Sequence, residues 1–333
     1  MKRKQKRNRQ LLIVVLIIFL LSVGTIYSFF RIRKLEQQKE SIGIIISEIT
    51  PEIEFYRSLT PIRRLDIPFP PIRASASLVA IMSDDRNKFL FEENSDVVLP
   101  IASIAKLMTA IIAIEQYNLD DELLISEGAF LKDLHRPNNL FPGETYSVRS
   151  LLYASLIESS NSAAQSLAEG KTFLDFNSKE TSFINKMNER ARSLGMRNTR
   201  FSNPTGLDPL IAGSPINQSS ARDLLILARY LLNHPLILEI LSMKSHTLMS
   251  ADGMIKYEVI STNEFLGKRD DIIGGKTGRT VRAGGSFFGL FKRGTSYIFT
   301  IILNSRDRFS ETEKMLEWIE EAYYWGDDSN IKY

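Results

Sequence analysis

Ser103-Ile104-Ala105-Lys106 sets a hydroxyl and an amine three residues apart in a run that reads as helical from Ile101 to Tyr117. Positions i and i+3 share a helix face, so the two side chains can meet. A serine is a weak nucleophile until a neighbouring base takes its proton. A lysine becomes that base when burial or a second cation lowers its pKa. Two other short patterns offer complementary chemistry. Ser159-Ser160-Asn161 lies between two helical patterns, where a Ser and an Asn two apart on a turn can point to one side. Lys276-Thr277-Gly278 ends a β-rich run and follows Gly274 and Gly275. A cation, a hydroxyl and a bare backbone at a strand end suit an anionic ligand lying along that edge. Alone, each pattern is ordinary: a helix start, a helix cap, the end of a strand.

Together and in this order, Ser-x-x-Lys, Ser-x-Asn and Lys-Thr-Gly form the signature of penicillin-binding proteins and serine β-lactamases. The flanking sequence resembles one branch, the low-molecular-mass D-alanyl-D-alanine carboxypeptidases of peptidase family S11. The resemblance runs through Leu99–Ala110, Phe141-Pro142-Gly143-Glu144, Ser147–Leu156, Phe201–Leu207 with its Asn-Pro-Thr-Gly-Leu, Ser220–Leu224, Thr262-Asn263 and Gly275–Gly278. It covers about residues 75–320.

The resemblance implies Ser103 as the acylated nucleophile and Lys106 as its base. It implies Ser159 as a proton relay to the leaving nitrogen and Asn161 as the holder of Lys106 and the substrate amide. Lys276, Thr277, Gly278 and Arg279 are the implied substrate-binding residues, with the Ser103 and Arg279 N–H groups as an oxyanion hole. The implied reaction removes the terminal D-alanine from a peptidoglycan stem peptide through a Ser acyl-enzyme. β-Lactam antibiotics are the expected covalent inhibitors, and no cofactor or metal is implied. Two departures stand out: Ser162 where an Asp is common, and Arg279 where an aromatic residue or His is frequent.

Other readings fit less well. His135, His234 and His246 match no metal-ligand spacing, and His234-Pro235 reads as a helix junction. A class A β-lactamase needs a separate Glu base, whereas Asn-Pro-Thr-Gly-Leu points to the carboxypeptidase branch. An endopeptidase acting on cross-linked peptides and a catalytically silent wall-binding homologue remain as alternatives.

Several elements must hold these residues. Ser77–Met82 and Lys88–Phe91 read as a hairpin about Asp84–Asn87. Helical patterns follow near 147–158, 161–169, 179–194 (stopped by Gly195), 219–232 and 235–242. Strands are expected at Lys256–Ser261, Ile272–Thr277, Gly285–Phe291 and Tyr297–Leu303, with a closing helix over Glu311–Trp325. The order predicts an α+β domain over residues 74–326: one antiparallel sheet built from both chain ends, with a helical lobe inserted between them. This is the serine β-lactamase/DD-peptidase-like arrangement.

The 333 residues are 44% hydrophobic and 24% charged, as a folded chain should be, and hold no cysteine, which excludes thiol chemistry. The net +3 is uneven. Residues 1–10 hold six bases and no acid, and residues 31–73 carry +2, so residues 74–333 hold the balance of −5. An acidic folded part argues against nucleic acid as a partner. Leu11–Phe30 contains sixteen apolar residues of twenty and no charge, about the length that crosses a bilayer core. With the basic tail 1–10 before it, this segment is expected to be a single-pass anchor in the bacterial cytoplasmic membrane, with the catalytic domain on the outer face. The prolines at 51, 61, 68, 70 and 71 suggest an extended stalk over residues 31–73. Residues 327–333 form a short tail, so the further C-terminal β-domain of many relatives is expected to be missing.

Overall fold

The computed structural model describes residues 31–37, 39, 61–83, 86–133, 139–170, 176–254, 256–294 and 296–325. The expected anchor 11–30, the tails 1–10 and 327–333, His135 and most of the stalk lie outside them. Residues 31–37 are helical. Among the described residues, no single helix is long and apolar enough to cross a membrane.

A five-stranded antiparallel sheet draws its strands from both ends of the Pro61–Tyr324 unit. In chain order they are β1 (Ala76–Ser83), β2 (Arg86–Glu93), β3 (Ile272–Thr280), β4 (Gly284–Arg293) and β5 (Ser296–Ser305). Their spatial order is β3-β4-β5-β1-β2, which leaves β3 at an edge. Successive strand side chains point to opposite faces, and here both faces are covered. Leu78, Ala80, Met82, Phe288, Leu290, Phe299 and Ile301 join the main core with the helices. Val79, Ile81, Phe287, Phe291, Ile298 and Ile302 are buried as well, so the central strands read as continuous apolar runs rather than alternating ones.

The inserted lobe contains α1 (Lys106–Gln116), α2 (Val148–Leu156), α3 (Asn161–Glu169), α4 (Phe176–Leu194), α5 (Ala221–Leu231) and α6 (Pro235–Ser242). Serine side chains start three of these helices: Ser147, Ser160 and Ser220 each accept a backbone N–H three residues on, which satisfies an otherwise orphaned donor. α4 ends at Leu194, just before Gly195. His234 caps α6, whose first residue is Pro235. The last helix, α7 (Arg308–Ala322), packs on β4 and β5.

Two expectations are corrected. Lys256–Ile260 does not join the main sheet; it pairs with Ser245–Met249 in a separate hairpin. The intervening turn and the partner strand carry too little apolar alternation to be read from sequence. Residues 61–73, placed in the stalk on account of their prolines, pack on the globular unit. Ile62 and Arg63 pair with Tyr324 and Tyr323. Trp318 Nε1 donates to the Pro68 carbonyl at 2.6 Å, and the Phe69 ring lies 5.2 Å from that of Trp318. Prolines exclude helix but not an extended strap held by side-chain contacts.

Candidate active site

Ser103 sits in a 3₁₀ turn, Ala102–Ala105, that leads directly into α1. The helix expected from Ile101 is therefore wound tightly over residues 102–105, where side chains three apart eclipse. Lys106 Nζ donates to Ser103 Oγ at 2.9 Å. The same amine donates to Asn161 Oδ1 at 2.7 Å and to the Thr205 carbonyl at 2.6 Å. Lys106 has no exposed surface, whereas Ser103 is partly exposed. A buried amine thus faces an accessible hydroxyl, the arrangement a base and its nucleophile require.

The second pattern forms the turn between α2 and α3. Ser159 is buried and adopts φ +67°, and Ala102, immediately before Ser103, adopts φ +48°. The other described non-glycine residues at positive φ are Asn94 and Asn304, a type that tolerates this region. The Ser and Ala conformations store backbone strain at the site. Ser160 Oγ caps α3 by accepting from Ala163 N at 3.1 Å. Asn161 opens that helix.

The third pattern lies on β3, whose outer edge runs beside the Ala102–Ala105 turn. A Cβ on Gly278 would lie 2.8 Å from the Ile101 carbonyl oxygen and 3.1 Å from Ser103 N, so glycine alone permits this approach. Lys276 and Thr277 are buried. Lys276 Nζ donates to the Thr277 carbonyl at 3.2 Å, and the hydroxyls of Thr277 and Thr262 lie 2.5 Å apart. Arg279 is exposed.

Four contributors escaped the reading of the three motifs. The Asn203–Leu207 loop wraps Asn203 Oδ1 with the N–H groups of Thr205 and Gly206 and with the Thr205 hydroxyl. Gly206, at φ +83°, leaves no room for a Cβ, which would lie 2.1 Å from the Ala102 carbonyl oxygen. That contact delivers the Thr205 carbonyl to Lys106. The loop was visible in the sequence as part of the resemblance, but its contribution is a backbone atom and has no side-chain signature. Asn217 clamps the loop from below, accepting from Ser202 N and Asn203 N and donating to the Asn203 carbonyl.

Asp133 is buried against the start of α3 and bonds Ser160, Asn161 and Ser162. Arg308, at the start of α7, donates to the Gly278 carbonyl at 3.1 Å. Burial and the neighbouring Arg279 guanidinium push the Arg308 pKa down, so two cations crowd the end of β3 and favour an anionic ligand there. In sequence, Asp133 and Arg308 look like ordinary surface charges in polar stretches. The two described histidines take no part: His246 stacks on Tyr153 and His234 lies against Tyr230.

Four findings from known proteins accord with this geometry. The profile of the D-alanyl-D-alanine carboxypeptidase family, peptidase S11, matches residues 67–307. The chain is similar to a D-alanyl-D-alanine endopeptidase of Pseudomonas aeruginosa, 29% identical over 79% of this chain and 83% of that one. It is also similar to the D-alanyl-D-alanine carboxypeptidase DacF of Bacillus subtilis, 28% identical over 74% of this chain and 63% of that one. Among solved structures, penicillin-binding protein D2 of Listeria monocytogenes in its ampicillin-bound form superposes with a TM-score of 0.62 and 32% identity, covering 76% of this chain and 99% of that one.

Proposed function

Because the chain belongs to the D-alanyl-D-alanine carboxypeptidase family, peptidase S11, we infer that it is a serine-type carboxypeptidase that removes the terminal D-alanine of peptidoglycan stem peptides through an acyl-enzyme on Ser103. The observation that carries this reading is the Lys106 amine, held 2.9 Å from Ser103 Oγ by two further acceptors. Ser103 Oγ attacks the carbonyl carbon of the scissile bond while Lys106 takes its proton. The N–H groups of Ser103 and Arg279 receive the oxyanion; such donors are worth about 2.7–4 kcal/mol in related chemistry. The C–N bond then breaks, and Ser159 passes a proton to the leaving nitrogen. Asn161 holds the substrate amide, and Lys276 and Thr277 hold the terminal carboxylate. Water hydrolyses the ester and restores Ser103. A β-lactam follows the same first step, but its opened ring remains attached.

Incubation of the full-length protein in detergent with a labelled penicillin, followed by mass spectrometry, tests the assignment. One adduct on Ser103 is expected; a label elsewhere, or none on folded protein, overturns it. Relatives named as endopeptidases favour a second reading, cleavage of cross-linked peptides. Incubation with pentapeptide and with cross-linked dimers separates the two by which substrate is consumed.

The basic tail and the apolar segment 11–30 support anchoring in the cytoplasmic membrane with the catalytic unit on the outer face, where the wall substrate lies. Protease added to intact spheroplasts should digest the catalytic unit, and its protection would reverse this topology.

A further inference from the structure

Asp133 ends a short 3₁₀ turn, Leu131–Asp133, and has 4% of its surface exposed. One carboxylate oxygen, Oδ2, accepts from Ser160 Oγ at 3.0 Å, Asn161 N at 2.6 Å and Ser162 N at 2.8 Å. The other, Oδ1, accepts from the Asn161 side-chain Nδ2 at 2.6 Å. The two oxygens therefore do separate jobs. Oδ2 closes the N-terminus of α3, where a negative charge is favoured. Oδ1 reaches past the backbone and holds an amide that also faces Lys106.

An asparagine amide has an accepting end and a donating end. At Asn161 the donating end is held by Asp133, so the accepting end is turned to Lys106 Nζ at 2.7 Å. We infer that Asp133 is a positioning residue for acylation: by fixing which end of the Asn161 amide faces Lys106, it keeps the lysine's free electron pair available to Ser103. This rests on the assignment of Lys106 as the base.

An isosteric change separates the two jobs. In Asp133→Asn the single remaining oxygen takes the place that serves three donors, and the new NH₂ group faces Asn161 Nδ2. Two donors cannot bond, so the Asn161 amide inverts and presents its NH₂ to Lys106. A protonated Lys106 then loses an acceptor. A neutral Lys106 turns its lone pair toward Asn161 and away from the Ser103 proton. Either way the helix start survives and the base is misdirected.

The test is stopped-flow acylation of the full-length protein by a fluorescent penicillin, which resolves the dissociation constant of the first complex from the acylation rate constant. Asp133→Asn is expected to lower the rate constant at least ~100-fold, the scale of general-base assistance, a larger factor than the weakening of the first complex that follows from the altered Asn161 contact to the ligand. Asn161→Ala should lose a similar factor, and the double variant should lose no more than Asn161→Ala alone, as expected of residues acting in series. A merely structural Asp133 would instead multiply the losses. In protein labelled with ¹⁵N-asparagine, the Asn161 side-chain NH₂ should exchange slowly with deuterium.

A folded Asp133→Asn variant acylating at the parent rate, multiplied losses in the double variant, or rapid exchange of the Asn161 amide in the parent would each overturn the inference. If Asp133→Asn fails to fold, the exchange measurement on the parent decides. If the parent itself takes no label on Ser103, the carboxypeptidase assignment fails, and the exchange rate still decides whether Asp133 holds the amide.

Discussion

Gly278 and Asn161 flank the same Ser103–Lys106 pair, and unlike forces hold them there. On the sheet side, β3 is registered residue by residue against β4 from Gly274 to Thr280, with Lys276 opposite Phe288 and Gly278 opposite Ser286. Position there is set by the backbone ladder and by the absence of a side chain at Gly278. On the helical side, side-chain hydrogen bonds do most of the positioning. Lys106 is set by Asn161 and Thr205, Asn161 by Asp133, and the Thr205 loop by Asn203 and Asn217. A ladder tolerates side-chain changes but not added bulk at a close approach. A side-chain network shows the opposite sensitivity, because each lost group leaves a buried partner unpaired.

The largest expected effect falls on the network. Lys106→Ala should reduce turnover of a stem pentapeptide by about 10²–10⁴-fold, the usual contribution of a general base. It also strands Asn161 Oδ1 and the Thr205 carbonyl, each at about 1–3 kcal/mol, so a lowered melting temperature should accompany the lost activity in a protein that still folds. Turnover at the parent rate would remove Lys106 from the mechanism and dissolve the contrast between the two sides.

Bulk at the contact points comes next. Gly206→Ala forces a Cβ into the Ala102 carbonyl at a φ that side chains avoid. Overpacking and backbone strain each cost about 1–3 kcal/mol. Denaturant unfolding should register that loss, and acylation should slow because the Thr205 carbonyl is displaced from Lys106. Gly278→Ala should disturb the Ser103 backbone directly and slow acylation with a smaller stability loss, since its φ is ordinary. Unaltered acylation in Gly278→Ala would mean that the edge strand can slide away from the nucleophile.

Lys276→Ala sharpens the comparison by function. Its loss should fall more heavily on substrates with a free C-terminal carboxylate than on amidated ones. Equal losses in kcat/KM on both would leave recognition of the terminus to Thr277, Arg279 and Arg308.

The smallest effect concerns Glu169 at the far end of α3. Burial raises its carboxyl pKa against the bonds from Ser126 and Gln165, and Glu180 adds to the rise. The folded state thus holds this proton more tightly than the unfolded chain, so Glu169 contributes stability at low pH that is lost as pH rises through its native pKa. Compared with Glu169→Gln, the parent should lose relative stability between mildly acidic and neutral pH. A difference in melting temperature that stays constant over that range would mean that burial does not control this group.

The types and spacings of Ser103, Lys106, Ser159, Asn161 and Lys276–Gly278 determined the chemistry that the sequence could announce, and their order along the chain supported the family. The apolar runs of β4 and β5 and the serines that cap α2, α3 and α5 likewise determined most of the elements, because periodicity and capping act over a few residues. Tertiary structure alone decided what each group faces. The stalk's end becomes a strap on Trp318, because stacking and a single indole hydrogen bond depend on a helix some 250 residues away. The Thr205 carbonyl, a backbone atom, completes the lysine's acceptors. Asp133 reaches Asn161 across 28 residues of chain. Contacts that cross such distances have no period and no local signature, so they emerge only when packing brings their partners within hydrogen-bond range.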